Sequence, residues 1–239
     1  MSIKDQEIVI AGGSGGLGAE AARMLKAEGA TLVLSYYQNK ERAEKLAEEL
    51  SGITIIQADV RELSDRSRLL ASAPKLYGLV VMAGIPARNP SFWDDSLNVN
   101  YSGPFKLAQE AASIMRKNGM RGSIVLMGTV QAVPGSPRAN PTYAGAKAAL
   151  IHAGRILAKE FRGRNEVRIN VISPGIINAE MGQASVNNHD YDPYLPGCIE
   201  RWGRAIDVAR AIRFFLEPDN YITGQNLLVD GGLGLGLGV

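Results

Sequence analysis

The feature that most constrains this chain is an alternation kept from one end to the other, in which short β-branched runs are separated by longer amphipathic stretches. The runs are Glu7 to Ala11, Thr31 to Ser35, Ile53 to Gln57, Gly78 to Met82, Gly122 to Met127, Val167 to Ile172 and Asn226 to Val229. Most are apolar on consecutive residues, as strands covered on both faces of a parallel sheet must be. Between them the clearest helix spans Lys40 to Leu50, where Ala43, Leu46, Ala47 and Leu50 form one stripe and charged residues cover the rest. Right-handed crossovers then predict a Rossmann-like, doubly wound α/β fold: a seven-stranded parallel sheet with helices on both faces. No linker or internal repeat interrupts the pattern, so residues 1–239 read as one domain. Its least regular part, 179–204, is expected to be a substrate loop.

Composition closes off other classes. With 26 Lys+Arg against 24 Asp+Glu, the net charge of +2 offers no nucleic-acid footprint. No apolar run reaches the roughly 18–20 residues of a membrane span. Cys198 is the single cysteine and has no metal-ligand spacing around it, so no metal is expected. Charges in the first seven residues do not fit a signal peptide, and a reducing cytoplasm is the expected location. Glycine is the unusual count, at 27. Five of these lie in Gly12 to Gly18 and five more follow Asp230.

The first glycine cluster follows the first strand and opens a helix near Leu17. Glycines permit a tight turn, and a helix N-terminus offers unpaired N–H groups to a pyrophosphate. Gly12, Ser14, Gly15, Gly16, Leu17 and Gly18 are therefore the candidate phosphate turn; the spacing satisfies both GxGxxG and GxxxGxG. A site for NAD(H) usually carries an acid about 20 residues further on, at the end of the second strand. Here Ser35-Tyr-Tyr-Gln-Asn-Lys40 precedes the first carboxylate, Glu41. Ser35 and Tyr36 are the candidate cofactor contacts there, and Asn39, Lys40 and Arg42 are further donors to a 2′-phosphate. NADP(H) is favoured, with NAD(H) as the alternative.

Pro141-Thr-Tyr-Ala-Gly-Ala-Lys147 opens another helix and puts Tyr143 and Lys147 on one face. A nearby ammonium is expected to lower the phenol pKa from its usual value near 10. Further short motifs fall in order along the chain: Asp59-Val60, Ala83-Gly84, Asn98-Val-Asn100, Ser173-Pro-Gly175, and Tyr221-Ile-Thr-Gly-Gln with Val229-Asp-Gly-Gly232. Together with Gly12-x-x-x-Gly16-x-Gly18 and Tyr143-x-x-x-Lys147, this order resembles the classical short-chain dehydrogenase/reductase family over nearly the whole chain. The resemblance implies an NAD(P)(H)-dependent oxidoreductase that interconverts a carbonyl and a secondary alcohol by hydride transfer. It makes Tyr143 the general acid/base and Lys147 its partner on the nicotinamide ribose. Asn100 becomes the support of a water relay, and Asp59 with Val60 the adenine contact. Ala83 and Gly84 become the turn over the adenosine ribose, with Pro174, Gly175 and Ile177 lying along the nicotinamide.

The chain departs from the family pattern at several places. Thr129 stands where the catalytic serine is usual, and is preferred to Ser136, which lies in a Pro-Gly-Ser-Pro loop. Ala11 and Val81-Met82 replace residues whose side chains tie the first turns to the sheet. Gly15 replaces a basic residue often found in NADP-using members, and Ala179 a threonine near the carboxamide. These changes leave two alternatives to weigh: a cofactor-binding sensor or scaffold with weakened catalysis, and an epimerase or dehydratase on the same fold. Aromatic and apolar residues in 188–197, with Trp202, suggest an apolar or cyclic carbonyl or alcohol substrate. His189 has no identifiable partner there. The Tyr143 helix is apolar or small on nearly every face, and the resemblance implies a homotetramer or homodimer built on it and on the helix after Asn100. The Gly-Leu alternation of 233–239 is read as an extended or frayed tail.

Overall fold

The computed structural model describes residues 2–86, 93–134, 140–179 and 198–235. Strands β1 (Glu7–Ala11), β2 (Thr31–Tyr36), β3 (Thr54–Gln57), β4 (Leu76–Val81), β5 (Ser123–Met127), β6 (Arg168–Pro174) and β7 (Asn226–Val229) form one sheet. They pair in parallel in the order 3-2-1-4-5-6-7. The crossovers carry α1 (Gly16–Ala27), α2 (Lys40–Leu50), α3 (Leu63–Ala71), α4 (Trp93–Leu97), α5 (Gly103–Lys117), α6 (Pro141–Glu160) and α7 (Ala205–Leu216). This is the doubly wound architecture that the alternation predicts.

Strand periodicity divides the core in two. Val9, Leu79, Ile124 and Ile169 pack on one face with Leu69 of α3, Leu107 and Met115 of α5 and Leu157 of α6. Their neighbours Ile8, Ile10, Val80 and Val125 pack on the other face with Leu25 of α1, Leu46 of α2 and Ile212 and Phe215 of α7. Because successive residues point to opposite faces, a strand covered twice must be apolar throughout, and β4 and β5 are buried at every residue.

Two strand boundaries differ from the sequence reading by two residues, and the others by one at most. β4 begins at Leu76, because Leu76 pairs with Glu7 across a register shift. β6 continues to Pro174, because β7 pairs with its last four residues.

Two buried arginines fasten elements to one another. Arg168 caps the C-terminus of α7, donating to the carbonyls of Phe215 (2.9 Å) and Glu217 (3.0 Å), while Tyr77 donates to that of Leu216 (2.8 Å). The negative end of the helix dipole offsets its charge. Arg66 of α3 is bonded to Glu110 of α5 (2.9 Å) and donates to the carbonyls of Val60 (2.9 Å) and Arg61 (2.8 Å). The turn after β3 is thereby braced against the helix layer.

The strand order reverses at β1, whose neighbours are β2 and β4. In open α/β sheets a crevice for ligands lies beyond the carboxyl ends of the strands at such a switch point. Here the segments beyond those ends are the Gly12 turn and the Ala83–Gly84 turn. Among the described residues, no helix is long and apolar enough to cross a membrane.

Candidate active site

Close backbone approach dictates the glycine turn. Gly12 has φ of +78°, and a Cβ there would lie 2.9 Å from the Ala83 nitrogen. A Cβ at Gly18 would lie 2.8 Å from the Gly12 carbonyl oxygen, so α1 rests directly on the turn. No side chain among the described residues caps α1 at Gly15, and its first turn holds no acid. Its leading N–H groups and positive dipole end are thus available to a pyrophosphate.

The side-chain tie that Ala11 and Val81-Met82 cannot supply comes from β2. Ser35 Oγ accepts from the Gly12 N–H (3.0 Å), and the Ser35 carbonyl accepts from the Gly13 N–H (3.0 Å).

The end of the cleft where the resemblance would put the adenosine, called the adenosine end below, encloses about 490 Å³ and is lined by Gly12, Gly15, Ser35, Tyr37, Asp59, Val60, Arg61, Ala83 and Gly84, among others. Asp59 and Val60, the expected adenine contact, are both among its lining residues. Tyr36 does not line it: the side chain is 8% exposed, and Tyr37, the next residue on the Ser35 side of the strand, takes that place. Ser14 and Gly16 belong to the turn but are not among the lining residues. Asn39, Lys40 and Arg42, the further donors expected for a 2′-phosphate, are not among its lining residues. Asn39 caps α2 by accepting from the Arg42 N–H (3.0 Å), and Lys40 pairs with Glu44 (3.1 Å). Among the described lining residues the cation at this end is Arg61, which sequence reasoning missed. Its guanidinium bonds the Asp59 carboxylate (2.6 Å) and holds the carboxyl below the usual range.

The Tyr143 end shares Gly12, Gly15, Met82 and Gly84 with the adenosine end, so the two form one cleft. A π-helical turn, Asn98–Ser102, follows α4 and buries Asn100 completely. Asn100 Oδ1 accepts from the Ile85 N–H (3.0 Å), and Nδ2 donates to the Ile85 carbonyl (2.9 Å) and to Ser96 Oγ (3.1 Å). A Cβ at Gly84 would lie 3.0 Å from Asn100 Oδ1 and 3.5 Å from Lys147 Nζ, which places both groups around this turn.

Asn140 caps α6 by accepting from the Tyr143 N–H (3.1 Å), and Pro141 occupies the first turn, where its missing N–H is not needed. One turn later, Lys147 Nζ donates to the Met127 carbonyl (2.9 Å) and lies 6.0 Å from the centre of the Tyr143 ring. Thr129, two residues after β5, hydrogen-bonds the Tyr143 side chain. Pro174, Gly175, Ile177, Leu17, Gly18 and Ala179 complete the lining.

The electrostatics correct one expectation. The ammonium does not pull the phenol down: burial raises the Tyr143 pKa, and the opposing influence is the Thr129 hydrogen bond. Burial also lowers Lys147 to about 8. Removing both groups from water disfavours each charged form, and this outweighs their attraction across 6.0 Å. Tyr143 therefore holds its proton at neutral pH.

Trp202 lines a separate cavity of about 530 Å³ with Ile199, Leu228, Asp230 and Leu233, and neither Tyr143 nor Thr129 is among its lining residues. Ser136, His189 and most of the 179–204 loop lie outside the described residues, as does the tail beyond Leu235. The described part of that tail, Leu233–Leu235, is a 3₁₀ turn rather than an extended strand. No cluster able to hold a metal ion occurs among the described residues.

Comparisons with known proteins agree with this fold. A family model described as enoyl-(acyl carrier protein) reductase matches residues 11–234. The chain is 29% identical to the 7alpha-hydroxysteroid dehydrogenase of Bacteroides fragilis, covering 95% of this chain and 93% of that protein. It is 29% identical to the 3-oxoacyl-(acyl-carrier-protein) reductase of Thermotoga maritima, covering 98% and 99%. Human dehydrogenase/reductase SDR family member 4 is 31% identical, covering 91% and 83%. Among solved structures, a short-chain type dehydrogenase/reductase from Mycobacterium ulcerans superposes with a TM-score of 0.91 at 25% identity, covering 100% and 93%. The NADPH-dependent 3-quinuclidinone reductase of Rhodotorula rubra gives 0.80 at 28%, covering 98% and 93%. The oxidoreductase reading is favoured over the sensor and the epimerase or dehydratase. The chain belongs to the classical short-chain dehydrogenase/reductase family and is an NAD(P)(H)-dependent oxidoreductase.

Proposed function

We propose that the protein reduces an apolar or cyclic ketone to a secondary alcohol, or runs the reverse reaction, with Tyr143 as the general acid/base. The observation that carries this reading is the convergence of Tyr143, Thr129, Lys147 and Asn100 on a cleft continuous with the glycine turn. When bound, a nicotinamide exchanges hydride with the substrate carbon. The chain's own residues do the rest. The Gly12–Gly18 turn and the start of α1 hold the pyrophosphate, Asp59 accepts from the adenine amino group, and Lys147 holds ribose hydroxyls. Tyr143 gives its proton to the substrate oxygen, and the Thr129 hydroxyl donates to that same oxygen. Lys147 and Asn100, grouped around Gly84, lie on the route by which the tyrosine regains a proton.

A preference for NADP(H) is supported by the lack of a carboxylate from Ser35 to Lys40, where one would repel a 2′-phosphate. The name of the Rhodotorula relative points the same way. The relatives named for a hydroxysteroid and for quinuclidinone support the cyclic substrate. Exposed small and apolar residues on the outer face of α6, Gly145, Ala148 and Ile156, support a homodimer or homotetramer built on α5 and α6. The chain acts as one dinucleotide-binding domain in the cytoplasm.

Purified protein is assayed by NADPH and NADH absorbance against cyclic ketones, hydroxysteroids and a 3-oxoacyl thioester. Turnover of a cyclic ketone with NADPH, lost in Tyr143→Phe, supports the reading. Binding of both cofactors without turnover on any of these compounds overturns it.

A further inference from the structure

At the adenosine end, the side chain of Arg61 joins three separate elements. Its backbone N–H donates to Asp59 Oδ1 (2.9 Å), and its guanidinium reaches both carboxylate oxygens. Nη1 reaches Asp95 of α4 (3.2 Å), and Nη2 donates to the Tyr37 hydroxyl at the end of β2 (3.1 Å). The guanidinium carbon also lies 5.6 Å from the centre of the Tyr37 ring, within reach of a cation–π contact. Beneath it, Arg66 holds the carbonyls of Val60 and Arg61, so the base of this strap is fixed to the helix layer.

Tyr37 is half exposed at the mouth of the cleft, whose lining includes the apolar side chains of Val60 and Val99. An aromatic face held at the edge of such a cleft is a platform for a nucleobase. We propose that Arg61 is a positioning residue for the purine end of the nucleotide, holding the Tyr37 ring as a stacking face and the Asp59 carboxylate as the acceptor for an exocyclic amino group. This rests on the dinucleotide reading above.

Charge separates this role from phosphate binding. Arg61 is paired with two carboxylates, Asp59 and Asp95, so its charge is met within the cluster rather than offered to a phosphate. Its bidentate fork is needed because one group must hold a carboxylate and a phenol together, which the point charge of a lysine does poorly.

The test is titration of NADPH, NADH and AMP into wild type, Arg61→Ala, Arg61→Lys, Tyr37→Ala and Tyr37→Phe, with melting temperatures measured alongside. Arg61→Ala and Tyr37→Ala are each expected to weaken all three nucleotides by roughly tenfold, the scale of one lost base stack. The cofactor KM rises in step while kcat at saturating cofactor stays unchanged. Tyr37→Phe keeps most of the affinity because it keeps the ring, and Arg61→Lys restores only part. Unchanged affinity in Arg61→Ala and Tyr37→Ala overturns the proposal. A loss confined to NADPH overturns it in favour of a phosphate contact, and a lowered kcat with unchanged KM overturns it in favour of a role at the reacting end. If wild type binds neither dinucleotide, the dinucleotide reading fails first and this inference fails with it.

Discussion

Lys147 offers the most quantitative handle on the site. The residue is 3% exposed and the described hydrogen-bond partner of its ammonium is the Met127 carbonyl. At about 1.4 kcal/mol per pH unit, the fall from 10.5 to about 8 corresponds to about 3 kcal/mol. Below about pH 8 the lysine is protonated in both folded and unfolded chains, and the cost of burying the charge is carried in full. Between about pH 8 and 10.5 the unfolded chain keeps the proton while the folded one releases it. Unfolding then takes up a proton, so the stability of the wild type rises with pH across that window.

Lys147→Met removes the titration and leaves the Met127 carbonyl without its donor, a loss of about 1–3 kcal/mol. Urea unfolding of both proteins, at about pH 7.5 and about pH 10, isolates the lysine because other titrating groups cancel in the difference. Wild type should gain about 2 kcal/mol relative to Lys147→Met over that interval. A difference that stays constant, or that moves in favour of the variant, refutes the claim that burial dominates this group. The variant should lack turnover at both pH values.

Three further substitutions probe the parts that hold the site. Gly18→Ala places a methyl 2.8 Å from the Gly12 oxygen and the Gly13 Cα, backbone on both counts, so dinucleotide affinity measured by fluorescence should collapse and the melting temperature should fall. Ser35→Ala breaks the bond to the Gly12 N–H and should cost about 1 kcal/mol of stability in urea, with a weaker cofactor Kd. Arg66→Met strands Glu110 and the carbonyls of Val60 and Arg61, so denaturation should show a loss of about 3 kcal/mol and the cofactor KM should rise.

The βα alternation was legible because its periods are physical necessities. A strand such as Leu79–Val81, covered on both faces, can only be apolar at consecutive residues, and the Lys40–Leu50 helix can only keep one apolar stripe. The glycine turn and Tyr143 with Lys147 were legible for the same reason, since sterics and helical spacing leave few substitutes.

What stayed hidden depends on side-chain direction and on contacts distant in sequence. Whether Tyr36 or Tyr37 faces the cleft turns on strand alternation continued one residue past the strand end, a signal available but easily passed over. The Ser35 hydroxyl replaces ties lost at Ala11 and Val81-Met82 from 23 residues away. Arg61 reads as an ordinary loop cation until Tyr37, Asp59 and Asp95 meet around it. The expectation for the phenol failed because spacing along a helix shows proximity to a charge but not the depth at which both groups are buried.

The central claim is that one cleft brings a nicotinamide hydride and the Tyr143 proton to the two atoms of a carbonyl. Mass spectrometry of the alcohol formed from a turned-over cyclic ketone, with NADPH deuterated at the transferring face of C4, tests it most directly. The account predicts one deuterium on the carbinol carbon with wild type, and a rate at least about 10²-fold lower with Tyr143→Phe at unchanged cofactor affinity. An alcohol without the label, or a Tyr143→Phe variant that turns over at the wild-type rate, would contradict it.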